Sequence, residues 1–238
     1  MKHTGTPPST PLCLLFDCDG TLVDSEILLA EVMAEILPEF GLPFTARQYM
    51  DEFRGVRFQT IVQTLEKRFQ ALAADQFSQL EAGMRARMEA RMRARMEARM
   101  RAELVAIPGM SAALDHLSSH PKAVVSNGPE RKIRCALEST ELGHHFTDKL
   151  FSAYTLNVWK PDPELYRKAA AAMGHAPQQC VVIDDAAVGV EAGLAAGMHV
   201  IHLNHFPTEE TTPEGAIGIH HADELPAAIA RLSVQETA

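Results

Sequence analysis

The stretch LCLLFDCDGTLVDS, residues 12–25, determines how the rest of the chain is organised. Its apolar half ends at two acids, Asp17 and Asp19, and Gly20 follows directly. An apolar run that stops at a turn residue predicts a buried strand. Because open α/β sheets bind ligands at the carboxyl ends of their strands, this strand predicts a ligand site that contains both carboxylates. Carboxylates so close together repel each other unless a proton or a cation lies between them, and Mg²⁺ is the simplest such cation.

Strand and helix patterns alternate along the second half of the chain. Short apolar strands are predicted to end at Ser126, Ser152, Asp184 and Leu203, with amphipathic helices between them. We expect residues 198–203 to be the last strand. Strands that alternate with helices predict an α/β fold with a doubly wound, parallel, Rossmann-like sheet.

The segment between the first strand and the remaining strands contains only helical patterns. Residues 25–105 show apolar positions at helical spacing, and Ser25 is a plausible N-cap for the first of these helices. We therefore expect an inserted all-helical domain at residues 25–105. The α/β core is then formed by residues 12–24 and 106–235, and residues 1–11 are expected to be a disordered tail.

An eight-residue repeat distinguishes the end of this helical segment. The sequence RARMEARM at residues 85–92 recurs letter for letter at residues 93–100. Alternation of apolar and charged residues favours a strand, but Ala, Met, Arg and Glu are strong helix formers, so we predict a helix. Its methionines form one stripe, and we expect the helix either to protrude or to pack this stripe against a partner. A second track contains only like charges, which repel one another: Arg87, Arg91, Arg95 and Arg99.

Charge and composition exclude several classes of function. The chain carries a net charge of −9, but seven arginines against two glutamates give residues 85–101 a charge of +5 and leave −14 elsewhere. An acidic protein whose basic helix lacks aromatic residues is not expected to bind nucleic acid, and we interpret the basic face as solvated. The histidine pairs at residues 144–145 and 220–221 are likewise interpreted as solvated.

The remaining composition points to the inside of the cell. The four cysteines show no C-x-x-C spacing, so buried, reduced thiols are expected. The sequence shows no signal peptide and no apolar run of membrane-spanning length. We therefore expect a cytoplasmic protein with no membrane partner, and a monomer or weak dimer.

The sequence DCDGT at residues 17–21, followed by Asp24, resembles the signature of the haloacid dehalogenase superfamily of aspartate-nucleophile phosphatases. Three later stretches fit the same family: VSNGP at 125–129, WKPDP at 159–163 and DD at 184–185. The resemblance is to the branch of β-phosphoglucomutases and phosphoglycolate phosphatases, which inserts a helical cap after the first strand. It implies that the first strand is central in the sheet, with the strands that end at Ser126 and Asp184 on either side.

The resemblance also implies roles for individual residues. Asp17 is implied to be the nucleophile that forms an aspartyl-phosphate. Asp19 is implied to protonate the leaving alcohol and then to activate water, and Lys160 to pair with the nucleophile. The implied Mg²⁺ ligands are Asp17, Asp184, Asp185 and the backbone carbonyl of Asp19. The implied phosphate-binding residues are Ser126, Asn127 and Lys160.

Substrate choice is expected to come from the cap, because the core contacts only the phosphate. Arg54, Gly55 and Arg57 lie in the loop that this branch directs into the active site, where a guanidinium can bind a carboxylate through two hydrogen bonds. We expect a Mg²⁺-dependent phosphatase of small phosphorylated metabolites, with sugar-acid phosphates such as 6-phosphogluconate preferred. Two alternatives stay open: a phosphomutase of the β-phosphoglucomutase type, and a binding module that recruits an acidic partner through the Arg/Met helix.

Overall fold

The computed structural model of the chain describes residues 11–53, 56, 58–69 and 78–235, with residues 78–85 and 234–235 described by their backbone alone. The predicted tail as far as residue 10, and the cap-loop residues Arg54, Gly55 and Arg57, lie outside these described residues. The predictions for them are therefore untested.

The core is a six-stranded parallel sheet with strand order β3-β2-β1-β4-β5-β6. β1 is central, with β2 and β4 on either side, as the resemblance implies. The α/β prediction is therefore confirmed. The strands are β1 (Cys13–Phe16), β2 (Lys122–Ser126), β3 (Leu150–Ser152), β4 (Cys180–Asp184), β5 (His199–Leu203) and β6 (Ile217–Ile219).

The expectation that residues 198–203 form the last strand is wrong, because β6 follows β5 and pairs with it in parallel. β6 has three residues with Gly218 at its centre, so it is too short to show an alternating pattern. Its pairing with β5 defines it as a strand, and sequence alone does not show that pairing.

Helices cover both faces of the sheet, and a helical segment is inserted after β1. Side chains at alternate positions of β1 point to opposite faces, with Leu14 and Phe16 in one apolar core and Cys13 and Leu15 in the other. The helices are α1 (Glu26–Ile36), α2 (Ala46–Glu52), α3 (Phe58–Phe69), α4 (Ser78–Glu103), α5 (Met110–His116), α6 (Glu130–Ser139), α7 (Ala153–Leu156), α8 (Glu164–Met173), α9 (Ala187–Ala195) and α10 (Leu225–Gln235). The inserted segment comprises α1 to α4.

The two connections between core and insert lie side by side. The Asp24 backbone N–H donates to the Val105 carbonyl at 3.0 Å, and Val23 forms an antiparallel bridge with Ala106. This arrangement supports the predicted boundaries of the cap at residues 25 and 105, which stay a prediction.

The repeat, residues 85–100, lies within one helix, α4, as predicted, and this helix packs against α1. Its methionine stripe is buried in the same apolar core as α1, so the stripe packs within the chain. The basic face is about half exposed at Arg91 and Arg95, as interpreted, and largely buried at Arg99, but these three arginines are also ion-paired within the chain. Glutamates of α1 and of the turn after it face them at the same four-residue spacing, in the pairs Arg99–Glu31, Arg95–Glu35 and Arg91–Glu39.

Two further expectations concern single residues. Ser25 is the N-cap residue of α1, as predicted, but its hydroxyl donates to Asp19 and makes no capping hydrogen bond to the helix. Each of the four cysteines is buried and free, as expected. Among the helices described, none combines the length and the apolar composition needed to cross a bilayer.

Candidate active site

The carboxyl ends of three neighbouring strands gather most of the predicted site residues. Asp17 directly follows β1, Ser126 ends β2 and Asp184 ends β4. Because Phe16 of β1 is paired with Val124 of β2 and with Ile183 of β4, the three ends are level with one another. Residues that are more than a hundred positions apart in the sequence therefore meet in one crevice.

A buried lysine joins two of the acids. Lys160 Nζ donates to Asp17 Oδ1 at 2.5 Å and to Asp184 Oδ2 at 2.7 Å, and the lysine side chain is 3% exposed. Burial lowers the pKa of Lys160, but the two carboxylates more than reverse this effect and hold it well above its ordinary value. The lysine is therefore charged. The Tyr166 hydroxyl donates to the same oxygen of Asp184 at 2.8 Å, a contact that the sequence analysis missed.

The negative charge of the clustered acids exceeds the positive charge of the lysine beside them. Burial, together with Asp184 and Asp19, raises the pKa of Asp17 from 3.8 to about 7 despite the opposing effect of Lys160. Burial and the charges of Asp184 and Asp17 also raise the pKa of Asp185 well above its ordinary value. Three carboxyl groups face a single ammonium group, so full ionisation leaves an excess of two negative charges.

This acid cluster fits a divalent cation. One carboxylate oxygen each from Asp17, Asp184 and Asp185 lies within 4.8 Å of the others. Carboxylate oxygens are the ligands that Mg²⁺ prefers, and a dication would balance the excess negative charge. The Asp19 carboxylate is directed elsewhere, which is consistent with its implied contribution through the backbone carbonyl.

Asp19 differs from Asp17 in its partners. Its carboxylate forms an ion pair with Lys132 Nζ of α6 at 2.8 Å and accepts a hydrogen bond from Ser25. Burial alone would raise the pKa of Asp19, but Lys132 and Ser25 bring it below its ordinary value. Two acids that are two residues apart therefore have pKa values shifted in opposite directions, a common feature of acid–base sites. The sequence does not single out Lys132, because Arg131 and Lys132 look alike as basic residues of an amphipathic helix.

The turn after β1 packs closely against the Asp185 side chain. Gly20 has φ +78°, and a Cβ at this position would lie 2.2 Å from Asp185 Oδ2, so any other residue would clash. The Thr21 hydroxyl donates to Asp185 Oδ1 at 2.8 Å and accepts from the Asp185 backbone N–H at 3.0 Å. These contacts fix the strand-end loops of β1 and β4 relative to each other.

The residues predicted to bind phosphate lie at the end of β2. Ser126 Oγ accepts from the Gly128 backbone N–H at 3.0 Å. Both polar atoms of the Asn127 side chain bind the backbone of Lys160, with Oδ1 accepting at 2.8 Å and Nδ2 donating at 3.3 Å. Asn127 therefore positions Lys160 through its side chain, and its contact with a phosphate stays a prediction.

A cavity of about 430 Å³ lies above the acids, between core and insert. Its core side includes Asp17, Asp19, Ser126 and Lys160. Its other wall comes from the insert, and the part of it that the repeat supplies was not anticipated from the sequence. The lining residues from α4 are Glu89, Met92, Arg93, Met96 and Glu97.

One ion pair joins this wall to the core. Glu97 is buried and forms an ion pair with Arg131 of α6, in which Nη2 donates to Oε2 at 2.8 Å and Nε lies 2.7 Å from Oε1. A charged hydrogen bond between two elements restricts how they can move relative to each other. Glu97 and Arg131 therefore fix α4 over the crevice.

Parallel strands that end in a lysine-bound acid cluster, beneath an inserted helical segment, define a hydrolase with an α/β core and the groups for phosphoryl transfer. The model of the haloacid dehalogenase-like hydrolases matches residues 12–197, and the chain belongs to that family. The predicted superfamily, its branch and the class of phosphoric monoester hydrolases are confirmed.

Individual relatives agree with this assignment. The chain is 35% identical over 190 residues to the 6-phosphogluconate phosphatase of Escherichia coli K12, covering 80% of this chain and 81% of that protein. It is 31% identical over 217 residues to hexitol phosphatase A of the same strain, covering 89% and 91%. A conserved haloacid dehalogenase-like protein from Agrobacterium tumefaciens C58 has a similar structure, with a TM-score of 0.72 at 26% identity, covering 94% of this chain and all of that one.

Proposed function

We propose that the chain is a Mg²⁺-dependent phosphatase that hydrolyses small phosphorylated metabolites through a covalent intermediate on Asp17. One observation carries the proposal: the Asp17 carboxylate lies against Lys160 in an acid cluster, at the floor of the cavity between core and cap. A nucleophile, a cation site and a bound lysine are then available at the same point for phosphoryl transfer.

The proposed reaction has two halves. An Asp17 carboxylate oxygen attacks phosphorus, the bond from phosphorus to the alcohol oxygen breaks, and Asp19 gives that oxygen a proton. Asp19 then takes a proton from a water molecule that attacks phosphorus, and the bond between Asp17 and phosphorus breaks to release inorganic phosphate. Mg²⁺ held by Asp17, Asp184, Asp185 and the Asp19 carbonyl would neutralise charge on the phosphate oxygens.

Asp19 must hold a proton before the first half can proceed. Its low pKa, caused by Lys132 against the effect of burial, keeps it ionised when no substrate is bound. An arriving phosphate dianion brings negative charge next to Asp19 and competes with it for Lys132. Both effects raise the pKa of Asp19, so substrate binding itself prepares the acid.

We further propose that the preferred substrates are sugar phosphates that also carry a carboxylate, such as 6-phosphogluconate. The names of the two E. coli relatives support a sugar or polyol phosphate. The cavity wall adds a cation for the carboxylate, since Arg93 is exposed there, whereas Arg131 is bound by Glu97. Arg54 and Arg57 of the cap loop stay proposed as additional contacts.

A substrate panel and one matched pair of variants test this specificity. We expect 6-phosphogluconate to be hydrolysed with a higher kcat/KM than glucose 6-phosphate, because only the former offers a carboxylate to Arg93. Arg93→Ala should raise KM for 6-phosphogluconate by roughly tenfold, the scale of one lost charged hydrogen bond, with little change for glucose 6-phosphate. Arg87→Ala is the control, because Arg87 is exposed on the same helix but does not line the cavity.

The specificity proposal fails if the two substrates are hydrolysed equally well, or if the Arg93 and Arg87 variants behave alike. Release of phosphate from both substrates would still support the general phosphatase. A phosphomutase would instead convert one sugar phosphate into its isomer without releasing free phosphate. Recruitment of an acidic partner by α4 is disfavoured, because Arg91, Arg95 and Arg99 already bind glutamates of this chain.

A further inference from the structure

A second group of potential metal ligands lies at the opposite edge of the sheet from the crevice. Asp115 is near the end of α5, which precedes β2, and His144 and His145 form a short helical turn, residues 143–145, before β3. Both segments are therefore at the amino ends of the strands. One possible ligand atom from each of the three residues lies within 4.8 Å of the others.

His145 does not fit the interpretation of this histidine pair as solvated. Its side chain is only 7% exposed, and its Nε2 atom is buried without a hydrogen-bond partner among the described residues. That atom lies 3.9 Å from Asp115 Oδ1, which is too far for a hydrogen bond. A buried ring nitrogen that faces an acid across this gap has an unmet need for a ligand or a proton donor.

His144 is already oriented as metal-binding histidines usually are. Its Nδ1 donates to the Glu141 carbonyl at 2.8 Å, which leaves Nε2 as the nitrogen with an available lone pair. Its ring centroid lies 3.9 Å from that of His145. Burial, together with the charges of His144 and Lys122, lowers the pKa of His145, so that ring is neutral at pH 7 despite the opposing effect of Asp115.

We propose that Asp115, His144 and His145 form a binding site for a transition-metal dication such as Zn²⁺, with water completing the coordination. Two imidazoles and one carboxylate are a donor set that suits Zn²⁺, Ni²⁺ or Co²⁺ better than Mg²⁺, which prefers oxygen ligands. Donor atoms around a tetrahedral Zn²⁺ ion lie roughly 3.3 Å apart. Rotation of the exposed Asp115 side chain brings its carboxylate to the two histidines.

The nearby ammonium of Lys122 reduces the attraction for a cation but does not occupy the site. Its Nζ atom donates to the carbonyls of Leu117 at 2.7 Å and His120 at 3.2 Å. A bound ion would link α5 to the turn before β3. It would therefore stabilise the amino edge of the core and leave the chemistry of the crevice unchanged.

Zn²⁺ titration by calorimetry tests the site, with Mg²⁺ in large excess to saturate the acid cluster of the crevice. We expect one Zn²⁺ ion per chain, with affinity weakened by roughly tenfold or more in His144→Ala and less in Asp115→Asn. Both residues are exposed, so these variants are expected to fold. His175→Ala is the control, because this histidine lies outside the cluster.

The wild type should also gain thermal stability from Zn²⁺ at pH 7, and His144→Ala should gain less. The proposal is overturned if the wild type binds no Zn²⁺ in excess Mg²⁺. It is also overturned if His144→Ala and His175→Ala bind Zn²⁺ with the same affinity as the wild type.

Discussion

The crevice of the core and helix α4 of the cap face the same cavity, but the surroundings of their charged residues are determined in different ways. In the crevice, each acid lies at a strand end, and its neighbours are set by the sheet. In α4, two identical eight-residue units place the same residue in different surroundings. Glu97 of the second unit is buried against Arg131, whereas Glu89 of the first unit is half-buried at the cavity wall.

The difference between the two units follows from helix geometry. Eight residues advance the helix by roughly 12 Å and turn it by about 80°, so the copies cannot make the same contacts. The proposed chemistry therefore depends on local sequence motifs. Which residues of α4 line the cavity depends on how this helix packs against the rest of the chain.

The largest expected effect is at the nucleophile. Asp17→Asn keeps the shape of the side chain but removes its nucleophilic carboxylate, so kcat should fall by roughly a thousandfold or more. Phosphate release from 6-phosphogluconate measures the loss. Asp148→Asn serves as the control, because Asp148 is an exposed acid paired with Arg134 away from the crevice. Turnover of Asp17→Asn close to that of the wild type would remove the crevice as the reaction site.

The next effect comes from the lysine that joins the acids. Lys160→Met leaves Asp17 and Asp184 without their shared cation, so we expect roughly a hundredfold lower kcat. The metal-free variant should also unfold about 3 kcal/mol more readily, because one partner of a buried ion pair is lost. Lys168→Met, at an exposed lysine of α8, should leave both quantities near wild type. Equal stability of the two variants in urea would contradict the proposed role of Lys160.

A smaller effect concerns competition between protons and Mg²⁺. Because burial raises the pKa of Asp17 from 3.8 to about 7, Mg²⁺ must displace a proton below pH 7. From about pH 5 to pH 7, loss of the Asp17 proton should raise the apparent Mg²⁺ affinity by up to about tenfold per pH unit. Calorimetric titration with Mg²⁺ across this range measures the change.

Linkage fixes the sign of the accompanying change in stability. Asp17 holds its proton more tightly when folded, so it stabilises the metal-free protein fully below pH 4, and this contribution is lost as the pH rises to about 7. Mg²⁺ should therefore raise Tm more at about pH 8 than at about pH 5.5. Equal shifts at both pH values would show that the acids are already ionised at the lower one.

The smallest effect tests the two repeat units directly. Glu97→Gln weakens the bond to Arg131 and should lower the free energy of unfolding by about 1 kcal/mol, a modest value because the arginine is largely exposed. Glu89→Gln is the same change in the same local sequence, and should stay within roughly 0.5 kcal/mol of wild type. Chemical denaturation of both variants gives the comparison, and equal losses would mean that the two units are equivalent.

The sequence predicted those parts of the site that are encoded locally. Asp17, Ser126 and Asp184 each end an apolar run, so strand prediction placed them at strand ends, and the family resemblance placed those strands side by side. Lys132 and Tyr166 lie within amphipathic helices, where nothing local separates a residue that faces the crevice from one that faces solvent. β6 was missed for a similar reason, because three residues are too few to show the alternation of apolar and polar residues that predicts a strand.

One missed contact did leave a signal in the sequence. Glu31, Glu35 and Glu39 have the same four-residue spacing as Arg91, Arg95 and Arg99, and complementary spacing on two helices indicates that they pack together. Comparing the two tracks would have predicted antiparallel packing of α1 and α4. It would also have replaced the interpretation of a solvated, self-repelling basic face.

The proposed phosphorylation of Asp17 can be measured directly. Enzyme quenched during turnover with Mg²⁺ and 6-phosphogluconate is treated with borohydride, which reduces an aspartyl-phosphate to homoserine, and is then mapped by mass spectrometry. The account predicts homoserine at position 17 and an unmodified Asp19, although the two acids are only two residues apart. Modification at another acid, or none at position 17 while phosphate is being released, would contradict it.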